Sequence, residues 1–149
     1  MADNAYKIEE LVNMEKIVLK CLKFNVLFPS ITDFYNIISI LFNFNEEQYF
    51  LGKYFIDSCL IDYEFIKYSN SHIAISAVYI VTKYYNIDDC KKLFDNKICV
   101  GLQKQEKCIK EIAKNMCISS KKLFNTNLEA VKDKYSEEKY CSVAKKIWS

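Results

Sequence analysis

The chain has 149 residues, of which 51% are hydrophobic and 15% aromatic, with a formal charge of +2 at pH 7; that is enough apolar content for one domain with a sizeable core. Only two glycines and one proline occur, which argues against the turn chemistry of all-β folds and against glycine loops that cradle phosphate, and leaves an all-α fold. All 21 basic residues are lysine, so bidentate arginine chemistry is excluded.

From Tyr6 to Lys23 the spacing predicts an amphipathic helix, with Leu11, Met14, Val18, Cys21 and Leu22 on one side, acids early and lysines late. The lone proline, Pro29, disfavours helix at Phe28 and holds residues 24 to 30 extended, and their apolar character predicts packing along the domain. A second helix is predicted over Ile31 to Phe42, capped by Ser30 with Asp33 three residues on, its stripe being Phe34, Ile37, Ile38 and Leu41. Asn45 opens a third, Glu46 to Ile61, using Phe50, Leu51, Tyr54, Phe55 and Leu60. The aromatic stretch from Tyr63 to Tyr68 then leads to the centre of the chain.

That centre runs from Ser69 to Tyr85. Eight of the nine residues from Ile73 to Val81 are apolar, so a helix through them has no polar side and must lie inside others. Ala74, Ser76 and Ala77 allow close approach, while Ile73, Ile80, Val81 and Tyr84 supply bulk. A buried strand is the alternative, and length with the absence of Gly and Pro favours helix. Beyond it, Asp88 or Asp89 caps a short helix through Phe94, Gly101 marks a break, and Gln103 to Met116 form a helix through Cys108, Ile109, Ile112 and Met116. Ser119 or Ser120 caps a last helix with Leu123, Phe124, Leu128 and Val131 at helical spacing, ending near Tyr135. The tail from 136 to 149 has isolated anchors, Tyr140, Val143 and Trp148, and is expected to lie over the surface.

The charge is unevenly spread: 7 lysines against 11 acids up to residue 88, then 14 against 8. A nucleic-acid surface is one reading of the basic half, but acids interrupt the lysines, and a solvated helix face is the simpler one. Cys90, Cys99, Cys108 and Cys117 recur every nine residues, which on a helix points successive thiols to opposite sides. With no C-x-x-C pair and a single histidine, His72, zinc is not expected. No signal peptide is read at the start, so a reducing compartment with free thiols is expected, and no apolar run reaches a membrane-spanning length. His72 falls in the first turn of the central helix, where a backbone-bonded or exposed imidazole is expected; Asp57 and Asp62 do not share a helix face, so an enzyme is the weakest class.

Several strings resemble cyclins of the mitotic A/B type. Tyr6-Lys7-Ile8-Glu9-Glu10-Leu11, continuing through Met14-Glu15, Val18-Leu19, Leu22, Phe24 and Pro29, is similar to the last helix of the first cyclin box and the linker after it. Leu51, Lys53-Tyr54, Asp62-Tyr63, Tyr68, Ser71, Ile73-Ala74 and Ala77 resemble the second and third helices of the second box, and Val131 to Tyr135 with Lys139-Tyr140 resemble its closing helix and tail. Asn70 stands where the family commonly has proline, a different device for starting the same helix, and Ile75 with Ser76 interrupts the family's alanine run.

The resemblance implies an all-α cyclin fold: about five helices around the central one (69 to 85), with an extra N-terminal helix and a C-terminal one. It divides the chain into 1–29, the end of the first box and linker, 30–135, the second box, and 136–149, the tail. It implies a non-catalytic regulatory subunit of a cyclin-dependent protein kinase, in the nucleus or cytoplasm, with no cofactor and no metal. Almost all of the first box, with the family's main kinase contact, has no counterpart here, so a fragment or an unusual short cyclin is expected. The family's arginine-containing destruction signal cannot occur without arginine. Tyr6, Ile8 and Glu10 are the candidate partner contacts, and self-association through the exposed first helix is a further expectation. A cyclin-fold transcription factor or a helical interaction module is the alternative.

Overall fold

The computed structural model describes residues 6–87, 105–126 and 129–148. The described residues form helices and no strand: α1 (Ile8–Cys21), α2 (Ile31–Leu41), α3 (Glu46–Ile61), α4 (Asn70–Tyr84), α5 (Glu106–Phe124), α6 (Glu129–Lys134) and α7 (Val143–Trp148), with 3-10 turns at Tyr63–Lys67 and Glu138–Tyr140. The short helix expected after Asp88 and the break at Gly101 lie outside the described residues, as does Leu128.

Local chemistry sets the helix starts. The Ser30 hydroxyl accepts from Asp33 N–H at 3.2 Å and the Asp33 carboxylate accepts from Ser30 N–H at 2.8 Å, closing a capping box at α2. Those bonds from Ser30, the side-chain one foremost, hold the Asp33 carboxyl below its ordinary range. Asn45 and Gln48 do the same for α3, at 2.9 and 3.0 Å. Ser69 caps α4 by accepting from His72 N–H.

The apolar composition of α4 is matched by its surroundings. It packs against α2, α3 and α5, and its residues Ile73 to Val78 with Ile80, Val81 and Thr82 are all buried. Ser76, the one polar break in that run, has its hydroxyl 2.7 Å from the His72 carbonyl and 3.1 Å from the Ile109 carbonyl of α5, so it is satisfied and also joins two helices. Tyr84, expected to add core bulk, is exposed instead, on the last turn of α4.

The stripe on α2 is rotated from the expected one. Tyr35 and Ser39 are buried and Ile37, Ile40 and Leu41 face solvent, with Phe34 and Ile38 only partly covered. The cause sits on α3, where Gly52 has no side chain and the Tyr35 phenol occupies the space a Cβ would take. Tyr35 donates from there to the Tyr49 carbonyl at 3.1 Å, and its burial pushes the phenol pKa strongly upward. On α3 the expected Leu51, Tyr54 and Phe55 are buried, together with Ile56 and Cys59, whereas Leu60 is exposed.

The helix expected to stop at Met116 continues to Phe124. Ser119 and Ser120 do not cap a new helix, since both are buried with partners: Ser119 Oγ donates to Asp62 Oδ2 at 2.6 Å and Ser120 Oγ to the Cys117 carbonyl at 3.1 Å. Ile109, Ile112, Ala113 and Met116 face the core, and Cys108 is exposed. The tail departs most from expectation. Val143 and Ala144 of α7 are fully buried, and Trp148 Nε1 donates to the Tyr54 hydroxyl at 2.9 Å. An aromatic chain carries this closure, with ring centroids 5.7 Å apart for Tyr54 and Tyr135, 5.2 Å for Tyr135 and Tyr140, and 5.3 Å for Tyr140 and Phe50.

Candidate functional site: an exposed N-terminal helix

α1 is amphipathic, with Glu9 and Glu10 in its first turn and Lys20 in its last, the polarity a helix dipole favours. Its start is held by the Lys7 N–H donating to the Glu10 carboxylate at 2.8 Å. Its end is a sharp one: Lys23 and Phe24 both have positive φ, 49° and 57°, which reverses the chain into the linker. No residue of α1 is buried. Leu11, Met14, Val18 and Leu22, on the expected apolar side, are all exposed, and so is the linker, where Leu27 is 91% accessible. The expectation that residues 24 to 30 pack along the domain is therefore wrong, since they are exposed; Pro29 makes one tie to the helical body, its carbonyl accepting from Asn70 Nδ2 at 2.9 Å.

The three candidate contacts come together at the beginning of this helix. Tyr6 and Ile8 are exposed at 65% and 80%. Glu10 is exposed too, and its carboxylate serves the helix cap.

The other chemistry-bearing residues are engaged within the domain. Asp57 Oδ2 accepts from Lys134 Nζ and from the Tyr135 hydroxyl, each at 2.8 Å, tying α3 to α6. Asp62 caps the 3-10 turn through Glu64 N–H at 3.1 Å and receives Ser119. His72 bonds through Nδ1 to the Ser69 hydroxyl and lies through Nε2 2.6 Å from Gln105 Oε1, so its partners are side chains at the starts of α4 and α5 rather than backbone. Burial raises the thiol pKa of Cys59 and of Cys117. Lysines of the basic half lie over aromatic rings of their own domain, Lys121 on Trp148 and Lys132 on Phe124, and Lys146 pairs with Glu47 at 2.6 Å. Among the described residues no group of His, Cys, Asp and Glu could hold a metal ion, and no helix is long and apolar enough to cross a membrane.

The family profile of the cyclin C-terminal domain matches residues 29–147, the whole helical body from the linker's last turn to α7. The chain belongs to the cyclin family. It is similar to G2/mitotic-specific cyclin-B2 of Rana japonica, 28% identical over 144 residues that cover 97% of this chain and 36% of that protein. It is 26% identical over 155 residues to Cyclin-A1-3 of Oryza sativa subsp. japonica, covering 98% and 30%, and 28% identical over 144 residues to G2/mitotic-specific cyclin-B of Hydra vulgaris, covering 97% and 39%. This cyclin chain thus spans about a third of the length of the curated relatives it matches. No solved structure matches it significantly. The all-α cyclin fold expected from the sequence is the one observed, and α1 precedes the matched domain.

Proposed function

We propose that the chain is part of a cyclin regulatory subunit that binds a cyclin-dependent protein kinase in cell-cycle control, in the nucleus or cytoplasm. It acts by holding the kinase in its active arrangement and contributes no reacting group. The observation that carries this reading is the match of the cyclin C-terminal domain to residues 29–147, with relatives of both the A and B types aligned along almost the entire chain. Within it, residues 1–29 are the end of a preceding box with its linker and 30–135 the main helical unit; the tail 136–149 closes that unit. Tyr6, Ile8 and Glu10 supply partner contact from the start of α1, where large apolar surface stands free.

The test is co-purification with a panel of cyclin-dependent kinases, followed by phosphorylation of a standard substrate, using this chain and a longer reading frame that carries a first box. Binding and stimulation by the longer protein, weakened by Ile8→Asp, support the proposal. Failure of the longer protein to bind or stimulate any kinase overturns it.

A further inference from the structure

One helical turn beyond the tie from the Ser76 hydroxyl to the Ile109 carbonyl, a groove of about 480 Å³ opens between α4 and α5. Its lining comes from one face of each helix, Ile80, Lys83 and Tyr84 on α4 and Lys110, Ala113, Lys114 and Cys117 on α5. Ile80 and Ala113 are buried and make an apolar floor with half-buried Cys117, while Tyr84 stands half exposed at the edge.

Three lysines and no acid line this groove. By contrast, the cleft beside the Tyr63–Lys67 turn mixes Lys67 and Lys122 with Asp62 and Glu64, and the one between α2 and α3 has Glu46 and no lysine. Lys110 is already paired with Glu106. Lys83 and Lys114 are exposed, and among the described residues neither has a carboxylate partner. An apolar channel under unpaired positive charge suits a short acidic peptide that carries one bulky apolar side chain. A phosphate backbone would leave the floor unused, and a purely apolar segment would cover the lysines without pairing them.

We propose that the α4/α5 groove docks an acidic linear segment of another protein, with an apolar side chain on Ile80, Ala113 and Cys117 and flanking carboxylates on Lys83 and Lys114. This docking is independent of kinase binding and is measured without any kinase, so either idea can fail alone.

The test is fluorescence anisotropy of a labelled peptide, Glu-Asp-Glu-Phe-Asp-Glu-Asp, titrated with the whole chain at low and at high salt. Saturable binding that weakens with salt is expected. Lys83→Glu combined with Lys114→Glu weakens it about ten-fold while the melting midpoint stays unchanged. Replacing the peptide's phenylalanine by glycine also weakens it about ten-fold. Lys122→Glu combined with Lys145→Glu, outside the groove, changes it less than about two-fold. Carbodiimide added with the peptide joins it to Lys83 or Lys114. No saturable binding at low salt overturns the proposal, as does a glycine peptide that binds equally well. Equal losses from the two pairs of substitutions, or tighter binding of a duplex oligonucleotide through the same lysines, overturn it too. Cross-links from Lys83 and Lys114 to carboxylates of residues 88–104 of the same chain, in place of the peptide, do the same.

Discussion

α4 and α1 are both rich in apolar residues, and their fates are opposite. Nine of the fifteen residues of α4 are buried, and none of the fourteen of α1 is. The difference lies in how the apolar residues are arranged. α4 is apolar on every side and can exist only inside three neighbours that the chain itself supplies, α2, α3 and α5. α1 carries one apolar side backed by lysine and glutamate, and that side is exposed. Burial on all sides marks a scaffold, whereas an apolar side left uncovered among the described residues is where partner contact is proposed.

The comparison breaks hardest at Ala77, which is completely buried in α4. Ala77→Asp places an unpaired charge there and costs upwards of about 4 kcal/mol, enough to unfold the domain. Circular dichroism and solubility read this out, and a folded, soluble variant contradicts the scaffold role. Next comes Gly52→Ala, which improves helix propensity in α3 yet collides with Tyr35, for a net loss of about 1–3 kcal/mol in urea unfolding. A stabilised variant would mean that Tyr35 does not sit over Gly52. Tyr135→Phe removes one donor to Asp57 and costs about 1 kcal/mol, measured by thermal melting.

Smaller still is the acid sensitivity of the α3–α7 contact. The hydrogen bond from Lys146 holds the Glu47 carboxyl below its ordinary range. A carboxylate whose pKa is depressed in the folded chain adds stability that is complete above about pH 4.3, the unfolded value, and is lost as pH falls through the folded one. Glu47→Gln should therefore lose that small increment at neutral pH and show a shallower acid limb, the two curves converging as pH falls through the folded value; an unchanged acid limb counts against the pair. At the end of the scale, Leu11→Asp in α1 should not move the melting midpoint of a dilute sample, whereas the same change in α4 is ruinous. A clear destabilisation by Leu11→Asp would show that α1 packs on the domain.

What the sequence disclosed follows the same division between local and distant causes. The limits of α3 are legible because Asn45 and Gln48 bond within one turn, and the burial of α4 is legible because its composition leaves no choice. The face of α2 is not, since the decision that Tyr35 goes inward is made by Gly52, on the next helix. Ser119 and Ser120 look like a cap until Asp62, 57 positions before Ser119, takes the Ser119 hydroxyl. The order of the tail depends on rings spread from Phe50 to Tyr140, and no local period announces it. Of the candidate site, the apolar face of α1 is visible in the spacing of its residues. That nothing among the described residues covers it takes the folded arrangement to see.

The hydrogen bond from Trp148 to Tyr54 spans 94 positions. Such a closure carries a large loop entropy and draws on groups made long after α3, so the domain cannot be sealed until synthesis has passed Trp148. Until Val143 and Ala144 arrive, their places beside α3 stay open to water. Trp148 is the single tryptophan of the chain, so its fluorescence is a native reporter of that last step.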